Sequence, residues 1–183
     1  KDFGILSPDS SSAEAIKARL LESGCWPFIM QRPYAVIADT EQEPRDIFIS
    51  AYNTAPLAND YDFSLKGKEK ELQAAVTALS KLTKGQVHVG IGKGNDSGPH
   101  PAGNVGTQIN KLAPVNKGEI VWTIAPQDLV IIGELLLTGK FNAERIIALS
   151  GSEVKTPKYY KTRIGSEAAT FLYDSGLKDE NVR

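Results

Sequence analysis

Twelve residues constrain this chain more than any others. Ser97 to Gln108 reads S-G-P-H-P-A-G-N-V-G-T-Q, with three glycines, two prolines and one of only two histidines in the chain. Proline fixes φ and removes a backbone donor, and glycine admits positive φ. The stretch therefore cannot be a regular strand, and it can be helical only in its second half. It follows Gln86 to Ile91, a run that reads as a buried strand, so it lies at that strand's carboxyl end. In open α/β sheets this edge is where ligands or partners dock. The plain alternative is a crossover loop that only reverses the chain.

The rest of the composition narrows the function classes. At 183 residues the chain fits one domain with a small appendage, and a chain of that size buries roughly 70% of its unfolded surface without needing staples. The formal net charge of −1 lacks the basic excess that a nucleic-acid footprint demands. The single cysteine leaves no intrachain disulfide and fits a reducing compartment. Cys25, His88 and His100 are too thin a set for a structural zinc site. No run approaches the roughly 20 apolar residues of a membrane span; the longest apolar patch, Leu129 to Leu137, is broken by Gly133 and Glu134. No signal peptide is legible. The chain begins at Lys1 and ends in a charged run, Lys178 to Arg183, so it reads as a piece of a longer protein.

In chain order the periodicity is that of alternating helices and strands. Ser11 and Glu14 fit a capping box, Ile16 and Leu20 share a helix face, and Gly24 supplies a stop, which predicts a helix over 12–23. Asp46 to Ala51 reads as a strand. Leu72, Val76, Leu79 and Leu82 mark one face of a helix over 68–83, closed by Gly85. Gln86 to Ile91 is the second strand and Glu119 to Ile124 the third. Pro126 suits a first helical turn and Asp128 favours its positive dipole end, giving a nearly all-apolar, buried helix over 126–138 that Gly139 ends. Glu144 to Leu149 reads as a fourth strand. Together these predict an α/β fold with an open parallel sheet of about four strands flanked by helices. After Gly151 the character changes: Tyr159 to Ile164 reads as a strand and Ser166 to Tyr173 as a short helix, the truncated start of a second, small α+β domain. The division is 1–150 and 151–183.

Two segments bear on cofactor binding. Cys25 to Pro33, C-W-P-F-I-M-Q-R-P, carries two prolines that argue against regular structure, and its bulk suits a hydrophobic plug of Trp26, Phe28 and Met30. A phosphate-cradling loop needs small residues so that backbone N–H groups can approach the ligand. Gly90, Gly92 and Gly94 form a G-x-G-x-G run, but a dinucleotide fingerprint needs a helix opening off the third glycine and an acidic residue about twenty positions on. Asn95, Asp96 and the proline-rich stretch follow instead, which favours a turn.

Several pieces carry a family resemblance. These are G-P-H-P-A-G within 97–108, V-W-T-I at 121–124, Q-D-L-V-I-I-G-E-L-L-L-T-G at 127–139, E-R-I-I-A-L-S-G at 144–151 and K-T-P-K-Y-Y-K-T-R-I-G at 155–165. With L-L-E-S-G-C-W at 20–26 and R-P at 32–33, they resemble the A subunit of sodium-translocating NADH:quinone reductases, over residues 5 to 176. One departure is a shorter connection before G-P-H-P-A-G than the family has. The resemblance implies a Rossmann-like middle region, similar to that of the flavin-bearing subunit of respiratory complex I, followed by the start of a β-grasp-like domain. It implies a peripheral subunit on the cytoplasmic face of a bacterial inner membrane, with the other subunits of the complex as partners. The related flavin subunits carry a glycine-rich loop where this chain has Cys25 to Pro33, so the resemblance implies a filled-in flavin site. No cofactor is then expected in this chain; flavins and iron–sulfur groups are expected on the partner subunits.

Three functions compete on these grounds. The first is a non-catalytic subunit of a redox pump that contributes to quinone access, with the chemistry on partners' cofactors. His100 is a candidate proton donor to a reduced quinone, against the plainer reading of a histidine that pins its turn. The second is a flavin- or nucleotide-binding domain, supported only by the glycine run. The third is an assembly module with an exposed interface around Trp26, Phe28 and Pro101. The quinone or interface candidates are thus His100, Pro101, Gly103, Trp26 and Phe28. No catalytic or metal-ligating set is legible.

Overall fold

The computed structural model describes residues 1–92 and 100–179. Gly94, Asn95, Asp96, Ser97 and Gly98, with the short connection they form, lie outside the described residues.

The chain runs through α1 (Ala13–Ser23), one 3₁₀ turn (Trp26–Phe28), β1 (Met30–Arg32), β2 (Val36–Ile37) and β3 (Ile47–Ser50). It continues through α2 (Tyr61–Ser64), α3 (Glu69–Leu79), β4 (Val87–Gly90), α4 (Val105–Leu112), β5 (Val121–Ile124) and α5 (Pro126–Thr138). It closes with β6 (Glu144–Leu149), β7 (Lys158–Arg163) and α6 (Ala168–Ser175).

Five strands form one sheet in the order β2-β1-β5-β3-β4. The three strands β5, β3 and β4 run parallel, Ile47 facing Val87 on one side and Trp122 on the other. β1 joins antiparallel to β5, with Met30 opposite Thr123, and β2 folds back antiparallel on β1. The α/β class expected from the sequence stands, but the sheet is mixed. Its antiparallel member comes from Cys25 to Pro33, the segment expected to be irregular. The two prolines permit what they seemed to forbid. Pro27 sits in the first turn of the 3₁₀ helix, where its missing N–H is no loss. Pro33 holds the residue before it extended, so Arg32 ends a strand.

The second correction concerns β6. Its six residues pair with β7 antiparallel, from Glu144–Arg163 to Leu149–Lys158, and form a separate two-stranded sheet. Glu144 to Leu149 is therefore not a fourth strand of the main sheet. β7 and α6 lie close to the strand and helix expected there.

Strand alternation sorts the core into two faces. Ile47, Ile49, Trp122 and Ile124 face α1, α3 and α5, together with buried Ile16, Leu20, Leu79 and Ile132. Phe48 and Val121 face the opposite side, where Ile109 of α4 covers them. Each fully buried Ile or Leu stabilises the fold by about 1.5–3 kcal/mol, so the α1/α3/α5 face carries most of the packing. α3 and α5 meet at Gly133, where a Cβ would overlap the Glu71 carbonyl. The glycine that seemed to interrupt an apolar helix is what lets two helices touch.

Punctuation decides the helix ends. α1 begins at Ser12, whose hydroxyl accepts from the Ala15 N–H at 3.2 Å, one position after the Ser11 expected to cap it. Gly24, in the left-handed region at φ 77°, ends it and donates to the Leu20 and Leu21 carbonyls. Gly139 does the same for α5 at φ 74°. α3 ends at Leu79, short of the expected 83, because Leu82 and Thr83 already belong to the turn into β4. The single turn of α2 was not expected; Asp60 caps it by accepting from Asp62 and Phe63.

Candidate functional site

The carboxyl ends of β3 and β5 open on a cleft of about 340 Å³. Ser50 and Tyr52 continue β3 into it, and Ala125 and Pro126 lead from β5 into α5. Gly103, Asn104 and Val105 bring the start of α4 to one wall. Phe28, Met30 and Arg32 form the other.

The residues from 100 to 108 are fastened to the loop after β3. The Gly103 N–H donates to Thr54 Oγ1 at 2.8 Å. Gln108 Nε2 donates to Ser50 Oγ at 2.6 Å and to the Gly103 carbonyl at 3.0 Å. Tyr52 donates its phenol proton to the Ala102 carbonyl at 3.3 Å. Gly103 is buried, and a Cβ there would overlap the Thr54 backbone nitrogen. Gly90 is required for a related reason: a Cβ would come within 2.6 Å of Gln108 Oε1. Two glycines thus clear the space that lets Gln108 tie three segments together. Gln108 is 8% exposed, a buried amide held by partners on both sides.

His100 and Pro101 are exposed at the rim. His100 Nδ1 lies 3.4 Å from Thr54 Oγ1, and the Pro101 carbonyl accepts from the Asn104 N–H at 2.9 Å. Neither residue lines the cleft. Of the five residues singled out from the sequence, the cleft brings Phe28 and Gly103 together.

Trp26 goes elsewhere. It is 4% exposed, meets Trp122 edge to face at a centroid distance of 5.5 Å, and donates its indole proton to the Ala38 carbonyl at 2.8 Å. An exposed interface around Trp26 is therefore ruled out; the side chain belongs to the core because its ring and its N–H are both satisfied there. Phe28 is half-buried, stacked on Phe141 at 6.4 Å, with the Arg145 guanidinium 5.9 Å from its ring centre.

Arg145 also pairs with Asp128, in the first turn of α5. Burial raises the Asp128 carboxyl above its ordinary value, and the Arg145 charge and hydrogen bond only partly oppose it. Burial likewise raises the Tyr61 phenol, with the Asp128 charge adding to the shift.

The segment after α1 does not fit a phosphate cradle. The backbone N–H groups of Gly24, Cys25, Phe28 and Ile29 all donate to carbonyls of residues 20–26, and Pro27 has none to give. Cys25 and Ile29 are fully buried. These four N–H groups are spent inside the chain and do not converge on a phosphate. Among the described residues no three His, Cys, Asp or Glu side chains group as a metal site.

The reading of the sequence missed Arg32, Ser50 and Gln108. Arg32 counted only as part of R-P, and Ser50 as one more residue of a strand. Gln108 carried a usable signal, a large polar residue inside an otherwise apolar helix face.

Residues 11–141, more than half of the chain, match the family model described as the NqrA second alpha/beta domain. The chain belongs to the NqrA family. A second model, the NqrA C-terminal domain, matches residues 146–183, so the break between the two family models, residues 142–145, falls at the start of β6. A Neisseria meningitidis protein, named as the A subunit of a Na(+)-translocating NADH-quinone reductase, is 36% identical over 172 residues, covering 86% of this chain and 38% of that relative. Proteins of the same name from Alcanivorax borkumensis and Cellvibrio japonicus are 35% and 38% identical, covering 94% and 85% of the chain. Both family domains fall within a chain that spans about two fifths of the length of the curated relatives it matches, from 38% to 42%.

Proposed function

We propose that this chain is the α/β portion of the peripheral NqrA subunit of a sodium-translocating NADH:quinone reductase, and that it carries no redox group of its own. Its partners are the other subunits of that complex, which hold the flavins and iron–sulfur groups, and its place is the cytoplasmic face of the membrane. The observation that carries the reading is the backbone after α1, where the N–H groups of Gly24, Cys25, Phe28 and Ile29 are used inside the chain and Pro27 has none. Membership of the NqrA family supports the assignment to the complex. Among the described residues no helix is long and apolar enough to cross a membrane, which is compatible with a peripheral position. Crosslinking from a cysteine placed at Pro101 in the assembled complex tests the partner assignment. The expected product joins this subunit to a neighbour of the complex; crosslinks confined to the subunit itself would count against it.

A second reading gives the cleft a part in quinone access, because Phe28 and Gly103 both line it. His100 stands at the rim and not in the cleft, so its part would be proton transfer across the loop. His100→Ala in the intact complex separates the readings. Slower quinone reduction with normal assembly supports a quinone role, and an unchanged rate removes His100 from it.

A further inference from the structure

The β6–β7 sheet and α6 form a body of their own. The Tyr160 ring lies 5.1 Å from that of Phe171, and its hydroxyl donates to the Asp174 carboxylate at 2.7 Å, which ties β7 to α6. Among the described residues, the buried core of the α/β portion takes in none after Leu136. The six residues of β6 are all half-buried. Two bodies that share no apolar core are free to move against each other.

Polar side chains hold them together on both sides of the cleft. At the start of α5, Gln127 clasps the Ile146 backbone, and Asp128 pairs with the Arg145 guanidinium. Beside α2, the Asp60 N–H donates to the Tyr159 hydroxyl at 3.0 Å, and the Tyr159 ring lies 4.5 Å from that of Phe63. Asp128 and Tyr61, at these anchor points, both line the cleft. The Arg145 guanidinium stands 5.9 Å from the centre of the Phe28 ring, which lines it too.

The contacts are of a kind that can open. Burial raises the Asp128 carboxyl even with Arg145 beside it. Desolvation offsets much of what a buried ion pair gains, and removing one partner strands the other. Gln127 adds two neutral hydrogen bonds, each modest in net terms. The Phe3 N–H donates to the Gly139 carbonyl at 2.7 Å, which pins the end of α5 and leaves residues 140–143 as the link between the bodies.

We propose that the β6–β7 sheet is a strap across the Phe28 end of the cleft, closed by Gln127 and Arg145 and hinged between Gly139 and β6. Opening uncovers Phe28 and returns the Asp128 carboxylate and the Ile146 backbone to water.

The test uses the full-length subunit. Spin labels on cysteines at Leu112 of α4 and Tyr173 of α6, 60% and 87% exposed, report the distance between the two bodies. A second pair, at Lys161 and Tyr173, reports on the strap itself. The variants are Arg145→Gln and Gln127→Ala. Each should raise the ratio of a longer Leu112–Tyr173 distance to the closed one at least about tenfold, as loss of one or two hydrogen-bonded contacts predicts. The Lys161–Tyr173 distance should stay fixed. With Phe28→Cys added, a thiol reagent should label residue 28 faster in each variant by a similar factor. Should Arg145→Gln fail to fold, Gln127→Ala decides alone. Leu112–Tyr173 distances that neither variant changes overturn the proposal. So does a change at Lys161–Tyr173, which means that the sheet melts and does not open, or a labelling rate that stays constant while the strap moves.

Discussion

Gln127 treats Ile146 as a neighbouring strand would. Its side-chain amide donates to the Ile146 carbonyl at 2.8 Å and accepts from the Ile146 N–H at 2.8 Å. One amide at the start of α5 thus replaces the strand pairing that β6 lacks on that side. Gln127→Ala leaves both backbone groups without this partner, at a cost of about 1–3 kcal/mol for each that stays buried. Hydrogen exchange at the Ile146 amide should quicken in the variant, while amides in β5 keep their protection. Unchanged exchange at Ile146 would show that the contact is dispensable.

Gly133→Ala should be among the most damaging single-methyl changes in the chain. The added Cβ meets backbone, the Glu71 carbonyl, and not the end of a flexible side chain. α3 and α5 must separate to admit it, and such overpacking costs about 1–3 kcal/mol or more. The melting temperature should fall by several degrees. A control at Gly106, where a methyl meets nothing within 4 Å, should show no comparable loss.

Cys25 should be chemically silent in the folded protein. Burial pushes its thiol up to about 11, with a hydrogen bond from Ser23 opposing and the Asp128 charge adding. The thiolate is the reactive form. An aromatic disulfide reagent at neutral pH should therefore react only after unfolding in denaturant. Rapid labelling of the native protein would be at odds with the packing of α1 against the 3₁₀ turn.

Two carboxylates give opposite pH signatures. Burial would raise Asp46, but the Gln86 N–H, the Arg45 hydrogen bond and charge, and the His88 charge outweigh it and hold the group below its ordinary 3.8. Its folded value is depressed, so its contribution is present above pH 3.8 and is lost as pH falls through the folded value. Asp128 is raised, so its ionised form opposes folding, and its contribution is lost as pH rises through its folded value. Asp46→Asn should lower stability at neutral pH and lose that effect in acid. Asp128→Asn should soften the decline with rising pH just above 3.8. Denaturant unfolding at a series of pH values measures both.

How much of the fold is legible in the sequence depends on whether the signal is local. α1 and α5 can be read because serine, proline and left-handed glycine mark their ends within a few residues. β1 cannot, because its place beside β5 is set by pairing between Gln31 and Trp122, far apart in sequence. The same holds for β6. Its apolar run, Ile146 and Ile147, looks the same whether it joins a parallel sheet or pairs with Tyr160 and Lys161. The site is legible only in part. Gly103 stands out by its neighbours, but Arg32, Ser50 and Asn104 meet only once the strands and α4 are assembled. Trp26 misleads because a large aromatic near prolines reads equally well as core or as interface.

The proposal that this chain holds no redox group rests on the backbone after α1, where the N–H groups of Gly24, Cys25, Phe28 and Ile29 are used inside the chain. Flavin content of the purified full-length subunit, read by absorbance and fluorescence after denaturation, decides it. No flavin should be found, and added flavin mononucleotide should not raise the melting temperature. Flavin recovered at one per subunit, and displaced by disrupting Cys25 to Pro33, would overturn the proposal.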